Sequence, residues 1–397
     1  MSADRYFGMD IHKRQIVVAA VNNQQQQVYA PEKVDIQQFE TWSRTHLRST
    51  DHVAMEATTN SWAFHDQLKP IVKCVCVANT YKLKLITSSS TKTDKHDALV
   101  LAQLSAAQLL PMVWIPPQYV RDLRDYTQHR AQLIQQRTAA KNRLHSILHR
   151  HNLGSPDGSP FKQANQDWWE KLPLSAPDQL QIRHCWSMID YYNQLISETE
   201  AAISELSISD AWQDAMTYMM QLPGIGLYTG MTILAAIGDI KRFPDSQKLV
   251  GYSGLGARVH ASGNTYYTGK ISKEGRRELR TALISSAWIA VRFSDHWRTV
   301  FQALAKRIGK HKAITAIARK MLVAIWHILT KRELDRNADP EAIARSLMTW
   351  SSLHHLAHLR GQQRLEFVRQ RLELLGILNQ VPSFRANGRI HSLTSLP

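Results

Sequence analysis

The first 80 residues alternate short apolar runs with helix-length segments, and that alternation constrains the fold more than any other feature of the chain. "RYFGMDI" (5–11) and "QIVVAAV" (15–21) read as two strands separated by a tight turn at His12–Arg14. "QVYA" (27–30) reads as a third strand after the polar "NNQQQQ". In "DIQQFETWSRTHL" (35–47), Phe39, Trp42 and Leu47 share one side of a helix. Strand "HVAMEA", helix "SWAFHDQLKP", strand "KCVCVAN" and a helix opened by "TKTDKHDALV" (91–100) complete the order β-β-β-α-β-α-β-α.

That order is the one of an α/β RNase H-like fold, a mixed sheet with helices on its faces. Four acids then stand out. Asp10 lies inside an apolar strand, where an unpaired carboxylate is costly, and Glu56 ends another. Either one alone reads as a strand-end acid turned to solvent. Asp94 and Asp97, three positions apart at a helix start, read alone as capping acids. The same spacing projects both from one helix face, as a pair of metal ligands would. Brought together, four carboxylates repel one another unless cations neutralise them. Hard oxygen ligands select Mg²⁺ or Mn²⁺, and two such ions can clamp both oxygens of a phosphodiester displacement.

Charge points to the partner. The 397 residues carry 49 Lys and Arg against 33 Asp and Glu, a net charge of +16. Residues 1–110 hold 12 against 10, and residues 111–397 hold 37 against 23. A surplus concentrated in the second part suits a polyanion, nucleic acid before membrane. No apolar run is expected to approach a membrane span, and the N-terminus lacks a signal-peptide pattern. Cys74, Cys76 and Cys185 form neither a disulfide framework nor a zinc spacing, and Cys74 and Cys76 are expected on one face of a buried strand. A reducing cytoplasm fits.

"PMVWIPPQ" (111–118) is a Pro-rich stop after the first domain. A long basic helix over 119–150 follows, including Arg121, Arg124, Arg130, Arg137, Lys141, Arg143 and Arg150, either a solvated face or a phosphate-facing arm. "GSPDGSP" (154–160) is a turn. A helix over 178–207 carries Ile189, Tyr192, Ile196, Thr199, Ile203 and Leu206 at heptad spacing, which predicts a coiled coil or a bundle helix. "LPGIGLYTGMTILAAIGDI" (222–240) reads as a helix-hairpin-helix element in which Gly224 and Gly226 let the backbone approach a phosphate, or as a simple Pro-Gly turn between packed helices. "ARVHA" and "TYYTGK" predict a hairpin with Ser262 exposed at its "SGN" tip, and a Ser-Gly pair there is more often a turn than a nucleophile. Lys270, Lys273, Arg276, Arg277 and Arg280 suit a nucleic-acid backbone. Helices over 340–360 and 362–378 are expected in the tail.

The motifs "GMDIHKR", "AMEAT" and "TKTDKHDALVLA" resemble the RuvC-like N-terminal domain of DEDD-type insertion-sequence transposases. "LPGIG", "LVGYSGLGARVHASGNTYYTGKISKEGRRELRTALISSAW" and "AIARKML" resemble their C-terminal transposase domain, so the resemblance covers roughly residues 6–330 in order. Members of this family are also described as bridge-RNA-guided recombinases. The resemblance implies that Asp10, Glu56, Asp94 and Asp97 coordinate Mg²⁺ and that Ser262 is a nucleophile bonding covalently to a DNA phosphate. It implies a composite site, a structured bridge RNA pairing with donor and target DNA, and a homo-oligomer, dimer or tetramer, acting in the bacterial cytoplasm on the nucleoid. His260, two positions from Ser262, is the nearest candidate base.

The expected domains are 1–110, RuvC-like and metal-binding; 111–212, a helical or coiled-coil linker; 213–330, a mostly α transposase domain with the serine; and 331–397, a helical extension of unassigned role. Two other readings compete with a recombinase. A RuvC-like nuclease or resolvase using water leaves the Ser262 segment without work. A non-catalytic nucleic-acid-binding protein leaves all four acids without work.

Overall fold

Alternation along β1 (Tyr6–Ile11) sends Phe7, Met9 and Ile11 to one face of a sheet and Gly8 and Asp10 to the other. The computed structural model describes residues 5–86, 93–262 and 265–393, and the chain divides into two units, Met1–Pro116 and Pro117–Pro397. In the first, β2 (Gln15–Val21) and β3 (Gln27–Asp35) extend β1 as antiparallel neighbours. β4 (His52–Glu56) and β5 (Cys74–Ala78) add in parallel on its other side, giving the mixed order β3-β2-β1-β4-β5.

Helices α1 (Phe39–His46) and α2 (Ser61–Leu68) cover the Phe7 face, burying Ile16, Val18, Phe39, Trp42 and Phe64. Each such side chain contributes about 1.5–3 kcal/mol on burial. A short α3 (Thr80–Ile86), absent from the sequence expectation, follows β5. On the opposite face α4 (Asp94–Ala106) sets Ala98 against Val17 and Ala19. Cys74 and Cys76 do share a face, with Sγ atoms 3.6 Å apart. They are only half-buried, because β5 ends the sheet. The run after Leu110 lies along that edge, where the N–H of Val113 donates to the carbonyl of Val77 at 2.8 Å.

The second unit is mostly helical. α5 (Gln118–Arg150), roughly 50 Å long at 1.5 Å per residue, packs antiparallel to α7 (Ala176–Ser207), with α6 (Gln166–Glu170) in the connection. Ile189, Ile196, Thr199 and Ile203 of the expected seam are buried within the chain. α8 (Gln213–Met219) and α9 (Leu227–Ile237) flank the Pro-Gly turn, and α10 (Ser246–Ser253) leads into the antiparallel hairpin of β6 (Ala257–Ser262) and β7 (Thr265–Ile271). α11 (Arg277–Phe293), α12 (Asp295–Ile308) and α13 (Lys310–Lys331) follow.

Three expectations need correction here. α13 is long and apolar enough, by length and composition, to cross a membrane, contrary to the expectation that no run approaches a span. Its Ile314, Ile317, Met321, Leu322, Ile325 and Ile328 are instead buried at helical spacing, packed against α11 and α12, while basic residues break up the exposed side. In the tail, the helix expected over 340–360 ends early: α14 is Pro340–Trp350. The indole of the fully buried Trp350 donates to Ser207 Oγ at 2.9 Å, and Ser204 Oγ donates to the carbonyl of Leu353, which draws the chain down onto α7. α15 (Gly361–Leu374) is also shorter than expected, ending before Gly376 at φ +70°. A hairpin of β8 (Ser383–Ala386) and β9 (Arg389–Ser392) follows, unforeseen from the sequence.

Candidate active site

Two parallel strands bring the first acids level. Met9 pairs with Met55, so Asp10, next to last in β1, and Glu56, last in β4, lie level on the same face. α4 lies on that face because Gly8 has no side chain to hold it off. A Cβ built on Gly8 would meet the Ala98 carbonyl oxygen at 1.9 Å and the Ala102 nitrogen at 2.6 Å. The first turn of α4 therefore carries Asp94 and Asp97 toward the end of β1.

The helix does not use either aspartate as its cap. Thr93 holds an extended conformation and its side-chain oxygen accepts the N–H of His96 at 3.2 Å. Capping is thus supplied by a neighbour, and both carboxylates are left for other work.

His12, in the turn after β1, sits between two of the acids. Its Nε2 is 3.1 Å from Asp10 Oδ2 and 3.3 Å from Asp94 Oδ2. One ligand atom from each of Asp10, His12 and Asp94 lies within 4.8 Å of the other two. The side chain of Asp10 is 19% exposed, against 45% for Asp94. Burial pushes the Asp10 carboxyl above its ordinary value; His12 pulls it down, and the charges of Asp94 and Asp97 push it up again. Asp97 is therefore close enough to act on Asp10. This donor set, two carboxylates with one imidazole nitrogen, is compatible with a divalent cation. His12 and Gly8 were not singled out from sequence. The signals were an Asp-x-His at a strand end and a glycine inside an apolar strand.

In the second unit Ser262 is exposed, the last residue of β6, paired with Thr265 across the hairpin. Gly263 and Asn264 of the expected tip, and the side chain of His260, lie outside the described residues. Lys270 and Lys273 are exposed around the base of β7, and Arg277 at the start of α11 is exposed too. Arg276 and Arg280 have internal partners. Arg280 donates to the carbonyl of Ser253 at 2.9 Å and Arg276 donates to the Tyr252 hydroxyl at 3.2 Å.

Tyr252 is the centre of a cluster that sequence reasoning missed. Arg124 donates to the carbonyls of Ala235 and Ala236, and Arg242 donates to Ile237, so both cover the C-terminal end of α9 beside the phenol. Burial pushes Tyr252 up, but the guanidiniums of Arg276, Arg242 and Arg124 outweigh it and hold the phenol below its ordinary value. Burial, then Arg276, in turn lower Arg124 to about 10.

Several of the other expected nucleic-acid contacts have neighbours within the protein, and Gly226 does not. Gly224 adopts φ +83°, and a Cβ there would meet the Ser286 carbonyl oxygen of α11 at 2.3 Å. Gly226 has nothing within 4 Å of such a Cβ. On α5, Arg137 donates to Asn193, Lys141 lies over the Phe161 ring, and Arg143 reaches the Met188 sulfur. Arg130 pairs with Glu200 and Arg150 with Asp178 of α7.

Residues 7–153 match a family model described as Transposase, of the DEDD type, and residues 216–302 match one described as Transposase IS116/IS110/IS902 family. The chain is 28% identical over 263 residues to the transposase for insertion sequence element IS1111A of Coxiella burnetii, covering 62% of this chain and 69% of that one. It is 26% identical over 344 residues to the pilin gene-inverting protein of Moraxella bovis, covering 82% of this chain and 95% of that one. A third relative is the transposase for insertion sequence element IS1328 of Yersinia enterocolitica, 25% identical over 247 residues.

Proposed function

The chain belongs to the DEDD-type insertion-sequence transposases, and on that premise we propose that it cuts and rejoins DNA using a carboxylate-held metal site and Ser262 as nucleophile. The observation that carries the reading is the cluster of Asp10, His12 and Asp94 at the end of β1, inside the segment that matches the DEDD model. Antiparallel β1 to β3 continued by parallel β4 and β5 supports an RNase H-like assignment for this unit. The turn between α8 and α9 supports a helix-hairpin-helix assignment. Breaks after α7 and after α13 support a helical linker to 212, a transposase domain to 330 and a C-terminal extension.

Mg²⁺, or Mn²⁺, held by Asp10, Glu56, Asp94 and Asp97, would supply Lewis-acid stabilisation of charge on a phosphate. Of the chain's own groups, α4 and β1 hold the acids in fixed relation and His12 orients two of them. Ser262 Oγ attacks a DNA phosphorus, and a phosphoserine bond forms as the bond to a DNA hydroxyl oxygen breaks. The proton lost by Oγ is matched by one gained at the leaving oxygen. Attack by an incoming DNA hydroxyl reverses these changes and frees the serine. A serine hydroxyl is a weak nucleophile at neutral pH, so the step needs this activation. The pilin gene-inverting relative supports rejoining, since inversion requires both ends to be resealed.

The partners in this reading are donor and target DNA and a structured bridge RNA, contacted in part through Gly226, Lys270, Lys273 and Arg277, by a homo-oligomer in the cytoplasm. The test is trapping on suicide DNA substrates with Mg²⁺, followed by denaturing electrophoresis and peptide mapping. The expected result is an adduct on the peptide containing Ser262. An adduct on Tyr252, or no adduct alongside efficient recombination, would overturn the serine assignment.

A further inference from the structure

We infer that the cleft between the β6–β7 hairpin and helices α12 and α13 is a binding site for an unpaired nucleic-acid strand, gripped by its phosphates and stacked by one base on Tyr267. The inference rests on the reading above that the chain acts on nucleic acid, and it names a place for a strand that the catalytic residues do not line.

The cleft encloses about 820 Å³. Lys270, Lys273, Arg307, Lys312, Arg319 and Lys320 line it, and no Asp or Glu does. Among the described residues, none of these six side chains forms an ion pair with a carboxylate. Elsewhere Arg130 pairs with Glu200, Arg150 with Asp178 and Arg258 with Glu274, whereas here six cations without a carboxylate partner among the described residues surround one concave surface. Such a surface repels itself until an anion neutralises it.

Two details of the backbone point the same way. α13 opens Lys310, His311, Lys312, with no acid in its first turn. The start of a helix is its positive end, so three basic residues there oppose the dipole and suit a bound anion. Lys273 adopts the left-handed conformation at φ +57°, which is uncommon for a lysine.

The chemistry of the lining selects the ligand further. Leu255, Ile271, Leu304 and Ile308 form an apolar floor, and Tyr267 is 62% exposed at the edge. Phosphate oxygens satisfy the lysines and arginines, but only an unstacked base uses an aromatic ring and an apolar floor. A duplex keeps its bases stacked on one another and meets only the charge.

Fluorescence anisotropy on the full-length chain tests this, with 20-nucleotide oligo-dT, oligo-U of equal length and a blunt DNA duplex as probes over a salt series. The triple variant Lys312→Ala, Arg319→Ala, Lys320→Ala should lose at least tenfold in affinity for single strands and show a shallower salt slope. Tyr267→Ala should lose about tenfold for single strands with the slope unchanged and duplex binding unaffected. Stronger loss on oligo-U assigns the strand as RNA, and stronger loss on oligo-dT as DNA. Circular dichroism melts establish that each variant is folded. Wild-type affinity and slope in the triple variant would overturn the site. Equal losses on duplex and single strands in Tyr267→Ala would overturn the base contact. Neither result touches the Ser262 adduct, so failure here is distinct from failure of the proposed function.

Discussion

The Cβ that Gly8 lacks would lie 1.9 Å from the carbonyl oxygen of Ala98. That absence lets α4 rest on β1 and β2, and it fixes where Asp94 and Asp97 stand relative to Asp10. Gly8→Ala must move a helix backbone, because no flexible side chain can give way instead. Overpacking of this kind costs about 1–3 kcal/mol, and more where main chain is the obstacle. The variant should melt several degrees lower and lose strand cleavage, while retaining nucleic-acid affinity carried by the basic second unit. Wild-type cleavage by Gly8→Ala would show that the acids need no such close packing.

Asp10→Asn should separate stability from activity. The Asp10 carboxylate is mostly buried beside Asp94 and within reach of Asp97, so its charge opposes folding. Removing it should leave the melting temperature unchanged or raise it by a few degrees in EDTA, on the scale of about 1 kcal/mol. Adding Mn²⁺ should raise the wild-type melting temperature but not that of Asp10→Asn. A variant that cuts DNA at the wild-type rate would remove Asp10 from the site.

Much of the first unit was legible because period-2 apolar runs and a helical stripe leave few alternatives, and the acids violate that pattern. Asp10 is conspicuous in "RYFGMDI" because every neighbour suits a core. Gly8 was equally visible but silent, since a strand glycine becomes meaningful only when the helix that presses on it is known. His12 belongs to a turn, where a basic residue needs no explanation. The α5 arginines illustrate an ambiguity of the opposite kind. A run of cations has the same appearance whether it faces phosphate or Glu200 and Asp178 seventy and twenty-eight residues away. The hairpin of β8 and β9 was signalled by Asn387-Gly388, whose positive φ values of 50° and 76° a two-residue turn requires.

The α5–α7 pair should be acid-sensitive through Asp178. Its carboxylate accepts from Ser175 Oγ at 2.9 Å, and Arg150 and His151 also bind it. The Ser175 bond holds it below the ordinary carboxylate range, burial opposes this, and His151 and Arg150 add to the lowering. A depressed folded value means the stabilisation is complete above the unfolded value near 4 and is lost as pH falls through the folded one. Wild type should therefore melt above Asp178→Asn at pH 6, with the gap closing toward pH 3. A gap independent of pH would mean that Asp178 acts by packing alone.

Trp350 should behave as a core residue although it lies in the tail. It is fully buried, stacked edge-on to Phe367 at 5.1 Å between centroids, and bonded to Ser207. Trp350→Ala should cost about 3–5 kcal/mol. Limited proteolysis should then cut after α13 at rates far above wild type. Unchanged melting and proteolysis would show that the tail contributes nothing to the second unit.

Oxygen-18 water distinguishes a serine pathway from a hydrolytic one. If Ser262 attacks phosphorus, water never enters the bond being broken, and the recombinant strands should carry only their original oxygens. The energy of the phosphodiester is kept in phosphoserine, so rejoining needs no cofactor beyond the metal. If the carboxylates direct water instead, a cut end acquires one solvent oxygen on its phosphate, and mass spectrometry of the fragments detects it. Ser262 is exposed at the end of a strand, so Ser262→Ala should change stability by less than about 0.5 kcal/mol and leave DNA affinity intact. The expected outcome is wild-type product free of the label, with neither adduct nor recombinant from Ser262→Ala. Labelled ends that persist undiminished in Ser262→Ala would instead make the chain a nuclease of its four carboxylates.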